Sequence, residues 1–140
     1  MKHGICFIAL LMLSAISGNL QAAGIEWLTS PAAAAEAAEK QGKPILVYVT
    51  SDNCYYCRQM DAQTWKDSDV AELVSSTHVP LKVSARTNPE FVRNLRVKGY
   101  PTTICFSSKR RYLNRVEGFV PAFALRDRLQ AKHNAVAVRN

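Results

Sequence analysis

Apolar and polar positions alternate between two kinds of segment along this chain. Two nearly continuous apolar runs rich in β-branched and aromatic residues, 45–50 and 79–85, predict strands covered on both faces. Residues 102–106 and 112–117 predict two further strands, joined by a basic turn as a hairpin. Between them lie helical stretches. Ser30-Pro31 reads as an N-cap followed by proline at the first helical position, and the alanine-rich run after it ends at Gly42. Residues 54–63 are predicted helical, Asp67-Ser68 caps a helix to about residue 76, and Asn88-Pro89 repeats the cap-plus-proline signal for a helix through Leu95. Pro121 opens a last amphipathic helix with Phe123, Leu125 and Leu129 as its apolar contacts, and the pattern fades after His133 into a loose tail. Residues 24–29 can add a short edge strand.

The resulting order is β-α-β-α-(α)-β-α-β-β-α, without repeat or linker. It predicts an α/β domain with one mixed four- to five-stranded sheet between helical layers.

The first residues follow a different rule. Met1-Lys2-His3, an apolar run over residues 5–16 and a small-residue exit at Ala22-Ala23 form the layout of a secretory signal peptide. The run falls short of the roughly 20 residues that span a bilayer, so an uncleaved anchor is the weaker reading. The expected product is residues 23–140, one domain, periplasmic or secreted, cleaved near Ala22 or Ala23 and without stable membrane insertion after cleavage. No cysteine follows the cleavage site to carry a lipid.

Composition changes this picture little. The formal net charge is +7, spread along the chain except for Lys109-Arg110-Arg111. Such a cluster can attract nucleic acid or anionic lipid, but no aromatics interleave there as a base-stacking surface requires. It therefore reads as a solvated hairpin turn, and no nucleic-acid partner is expected.

The cysteines are more informative. Cys6 leaves with the leader, so Cys54, Cys57 and Cys105 remain: a close pair and an odd one. Three cysteines cannot form a paired structural framework. Cys105, in an apolar strand, reads as an inert buried thiol. Zinc sites also use C-x-x-C, but no second close Cys/His pair supplies the other ligands, so no metal and no cofactor are expected. A static disulfide is a further alternative. What favours redox chemistry is the strand–turn–helix context, with Ser51-Asp52-Asn53 as the turn. At a helix start, unpaired N–H groups and the positive end of the dipole favour a thiolate on the first cysteine. Cys54 is then the nucleophile and Cys57, one turn on, the resolving thiol.

From about Ile25 to Leu129 the chain resembles the thioredoxin superfamily. More narrowly, it is similar to the bacterial periplasmic group that includes the carboxy-terminal domain of the transmembrane disulfide reductase. The resemblance rests on Lys43-Pro44-Ile45-Leu46-Val47, Cys54-Tyr55-Tyr56-Cys57, Val97-Lys98-Gly99-Tyr100-Pro101-Thr102 and Glu117-Gly118-Phe119. It implies a thioredoxin fold and thiol–disulfide exchange with protein substrates, supplied by an upstream redox protein. It also implies a cis-proline at Pro101 facing the cysteines, and backbone groups of Tyr100 that receive an extended substrate. The expected state is a monomer. Tyr55 and Tyr56 stand where thioredoxins carry a small or proline-containing pair, and read either as client contacts or as plain surface aromatics.

Two positions depart from the family. Asn53 replaces a frequent tryptophan, and Tyr48 stands where relatives carry a buried acid. Lys82 falls on the family's strand lysine without its usual carboxylate companion, and reads either as a proton-transfer residue or as a core-edge residue whose head reaches solvent. Asp61, one turn beyond Cys57, is a candidate for moving that cysteine's proton, as is water. Reductase or isomerase, disulfide-forming oxidase, and non-catalytic metal-binding or adaptor module all remain open.

Overall fold

A computed structural model describes the backbone of residues 24–137 and the side chains of residues 24–131. The expected leader and cleavage site lie outside the described residues.

The order is α1 (Pro31–Gln41), β1 (Ile45–Thr50), α2 (Tyr55–Ala62), a 3-10 turn (Thr64–Lys66), α3 (Ser68–Thr77), β2 (Val79–Ser84), α4 (Pro89–Asn94), β3 (Thr102–Phe106), β4 (Tyr112–Glu117) and α5 (Ala122–Ala137). The four strands form one mixed sheet in the order β2-β1-β3-β4. β1 pairs parallel with β2 (Ile45 opposite Val79) and antiparallel with β3 (Val49 opposite Thr102), and β4 returns antiparallel beside β3. This is the expected α/β architecture, at the lower strand count.

Side-chain alternation splits the core in two. Ile45, Val47, Val49, Leu81 and Ile104 face α1 and α4. Leu46, Tyr48 and Cys105 face the opposite layer with Met60, Trp65 and Leu125. β1 is therefore buried on both faces, as its unbroken apolar run requires.

Several local expectations are corrected. The edge strand over residues 24–29 contracts to one bridge, in which Leu28 N–H donates to Pro80 O and Leu28 O accepts from Lys82 N–H. The helix start at Ser30-Pro31 cuts the extended run short. Asn88 precedes α4 without capping it by its side chain. Phe123 is 64% exposed: Leu125 and Leu129 lie one turn apart and set the inward face of α5, while Phe123 lies about 200° round the helix from Leu125. The fade expected after His133 does not end the helix, which continues to Ala137.

The registers define two poles. One gathers the ends of β1 and β2, the start of β3 and the end of β4, with residues 51–54, 85–87, 99–101 and 118. The other gathers residues 43–45, 77–79 and the β3–β4 hairpin.

Candidate active site

The turn after β1 delivers the cysteine pair to the first pole. Asn53 sits at φ +58, a left-handed conformation that asparagine tolerates better than most side chains. That gives the departure at this position a backbone reason. Arg86 Nε lies 2.8 Å from Asp52 Oδ2, and Ala85 N–H donates to Thr50 O, so the loop after β2 braces the turn.

Cys54 does not belong to α2 but caps it. Its backbone is extended, and its sulfur accepts from Cys57 N–H at 3.1 Å. Sulfur thus stands where a capping oxygen normally would, over the unpaired N–H groups of a helix start. Cys54 and Cys57 form a disulfide with Cα atoms 5.2 Å apart. Cys54 is half-buried and Cys57 buried. Tyr55 and Tyr56 flank the bridge at 59% and 56% exposure, their rings in edge contact. Tyr55 Oη also accepts from Gln59 Nε2 at 2.9 Å.

The Tyr100–Pro101 peptide is cis. Thr102 pairs with Val49, so Pro101 lies level with Thr50, the last residue of β1, at the pole that carries the disulfide. Two contacts hold this turn: Thr102 Oγ1 donates to Gly99 O at 2.7 Å, and Gly118 N–H donates to Pro101 O at 2.7 Å. Pro101 is buried and Tyr100 half-buried.

Beneath the pair lies a polar cluster that the sequence revealed only in part. The Tyr48 hydroxyl donates to Cys57 O at 3.1 Å. Its ring is wedged between Trp27 and Trp65, with centroids 5.7 and 5.1 Å away. Burial first, and the nearby negative charge of Asp61 second, push this phenol well above its ordinary value. Lys82, without the strand acid of relatives, meets another carboxylate: its Nζ lies 2.8 Å from Asp61 Oδ1 and 5.3 Å from the centroid of the Tyr48 ring. The acid sits on α2 rather than on β1. Both side chains are partly open to solvent, at 35% and 41% exposure. A strand-to-helix approach of this kind leaves no periodic signal in sequence.

Cys105 is buried outside the disulfide, in the core layer under α5. Among the described residues, no group of three or more His, Cys, Asp or Glu is close enough to hold a metal ion.

Residues 31–133 match the thioredoxin-like domain family. The chain belongs to that family. Among curated proteins, this thioredoxin-like chain is 30% identical over 93 residues to the thiol:disulfide interchange protein DsbD of Pseudoalteromonas atlantica, covering 63% of this chain and 16% of that protein. The chain therefore spans under a fifth of the length of such a relative. Its fold is similar to a thioredoxin from Thermus thermophilus, with a TM-score of 0.70 and 28% identity over 78% of this chain and 87% of that one. The oxidised carboxy-terminal domain of Neisseria meningitidis DsbD superposes with a TM-score of 0.61, covering 75% of this chain and 97% of that one. At 20% identity, that likeness speaks for the fold alone. The thioredoxin-like oxidoreductase fold, carrying a C-x-x-C disulfide, is thus established.

Proposed function

We propose that this protein is an exported thiol–disulfide oxidoreductase that exchanges disulfides with protein substrates in the reductive or isomerising direction. The observation that carries the proposal is the sulfur cap, with Cys54 Sγ accepting the Cys57 N–H at the start of α2. In the dithiol form, that N–H and the helix dipole stabilise negative charge on Cys54.

The exchange balances as follows. The Cys54 thiolate attacks one sulfur of a substrate disulfide, forming a mixed disulfide and releasing the other substrate sulfur as a thiolate, which takes up a proton. Cys57 loses its proton and attacks Cys54 Sγ. The Cys54–Cys57 bond closes and the second substrate thiol leaves. Two electrons pass to the substrate, and an upstream dithiol protein restores the reduced pair. Asp61, one turn from Cys57 on α2 and paired with Lys82, or water, accepts the proton of Cys57. The exposed rings of Tyr55 and Tyr56 offer apolar contact to the client, and the Tyr100–Pro101 turn offers it backbone groups.

Export rests on the leader sequence, and a periplasmic site agrees with the DsbD-like reading. The direction is tested by the reduction potential of the Cys54–Cys57 pair. A value near that of thioredoxin, about −270 mV, supports the reductive reading, and one near about −120 mV, that of a strong oxidant, reverses it.

A further inference from the structure

The Lys109-Arg110-Arg111 cluster has no part in the disulfide chemistry, and its place in the fold is informative. Phe106 pairs with Ile45 and with Tyr112, so the β3–β4 hairpin lies at the pole opposite the disulfide. Strands of five or six residues separate the two poles by about 17 Å.

Three further facts bear on that pole. Leu28 bridges Leu81 in parallel, which sets residue 26 level with the start of β2. The chain therefore enters the domain at this pole from the segment that carries the apolar leader. Lys40 and Lys43, at the end of α1 and before β1, add two cations. Neither they nor the three hairpin cations form an ion pair with another described residue, and Glu26 and Glu39 are the acids that these elements bring to the pole. Lastly, Tyr112 and Leu113 directly follow the cations and are 60% and 39% exposed.

The hairpin holds its charges in a closed turn. Ser107 N–H donates to Arg111 O and Arg110 N–H to Ser107 O, each at 2.8 Å. Arg110 occupies φ +61, where glycine or asparagine would sit with less strain. A cation thus stands at a position whose backbone favours another residue.

We propose that this pole is a docking surface for an anionic phospholipid bilayer. The cations meet the headgroups, and Tyr112 and Leu113 enter the interfacial layer, as aromatic and apolar residues beside basic clusters do. Any redox partner has to reach Cys54 at the other pole, so a surface here does not serve electron exchange. A bilayer seated on it leaves the disulfide facing solvent. The proposal goes beyond the redox reading and does not depend on it.

Partition of the full chain between buffer and vesicles tests it, using neutral phosphatidylcholine and the same lipid with phosphatidylglycerol. The leader is common to parent and variants, so its share cancels when their ratios of anionic to neutral partition are compared. Each cation near such a surface contributes about fivefold. The triple variant Lys109→Gln/Arg110→Gln/Arg111→Gln should therefore lower that ratio about 100-fold, while unchanged thiol–disulfide exchange reports an intact fold. A control triple, Lys66→Gln/Arg93→Gln/Lys98→Gln, removes the same net charge elsewhere and should change the ratio by less than about fivefold, the share of one cation. Equal losses in both triples would reduce the effect to net charge and overturn the proposal. So would a parent ratio near one, or retention of the hairpin by an acidic protein but not by vesicles.

Discussion

The hydroxyl of Tyr48 donates to the backbone carbonyl of Cys57 across 3.1 Å, tying the first turn of α2 to the central strand. Replacing Tyr48 by phenylalanine should cost about 1 kcal/mol at neutral pH, the net worth of one such bond. A second effect appears in alkali. The phenol is raised in the fold, mainly by burial, so its contribution is fully present below the unfolded value of about 10 and is lost as pH rises from there toward the folded one. Stability of the parent should fall by up to about 1.4 kcal/mol per pH unit in that window through this residue. Denaturant titrations at successive pH values should show the slope reduced by one proton in Tyr48→Phe. An identical alkaline slope would remove Tyr48 as its source.

Lys82 and Asp61 meet at 2.8 Å beside that phenol. Asp61→Asn should slow thiol–disulfide exchange several-fold near neutral pH and flatten its pH profile, because the proton of Cys57 loses its acceptor on α2. Stopped-flow exchange across pH provides the check. Rates equal to the parent at every pH would leave water as the acceptor. Because both side chains are partly exposed, the pair itself should add under about 1 kcal/mol to stability.

A buried hydroxyl joins the 3-10 turn to the entrance of α5: Thr64 Oγ1 donates to Val120 O at 2.6 Å. Thr64→Val keeps the shape and leaves that carbonyl unpaired, so urea unfolding should show a loss of about 1–3 kcal/mol with an unchanged m value. Thr64→Ser should recover much of it. A valine variant as stable as the parent would mean the carbonyl finds another donor.

Much of this architecture was legible because its signals are local. The run at 45–50 is a central strand buried on both faces, as its apolar positions require, whereas 79–84 is an edge strand that buries every second residue rather than both faces. Ser30, Pro31 and Gly42 mark the ends of α1 where the sequence set them. The disulfide was legible for the same reason, since its two cysteines share one helical turn. What escaped were side-chain meetings across the fold. Asp61 reaches Lys82 across a sequence separation of 21, and Trp27 and Trp65 close on Tyr48 from separate segments. Phe123 was misread because an apolar residue two positions from Leu125 faces away from the stripe.

The account rests on Cys54 as the attacking sulfur and Cys57 as the resolving one. Expression of Cys57→Ala in a cell that exports the chain, followed by acid quenching and non-reducing electrophoresis, tests this directly. Mixed disulfides with other proteins should accumulate through Cys54, collapse on reduction and be absent from the Cys54→Ala/Cys57→Ala double variant. A Cys57→Ala protein that folds, keeps Cys54 open to alkylation and yet captures no partner would contradict the exchange mechanism.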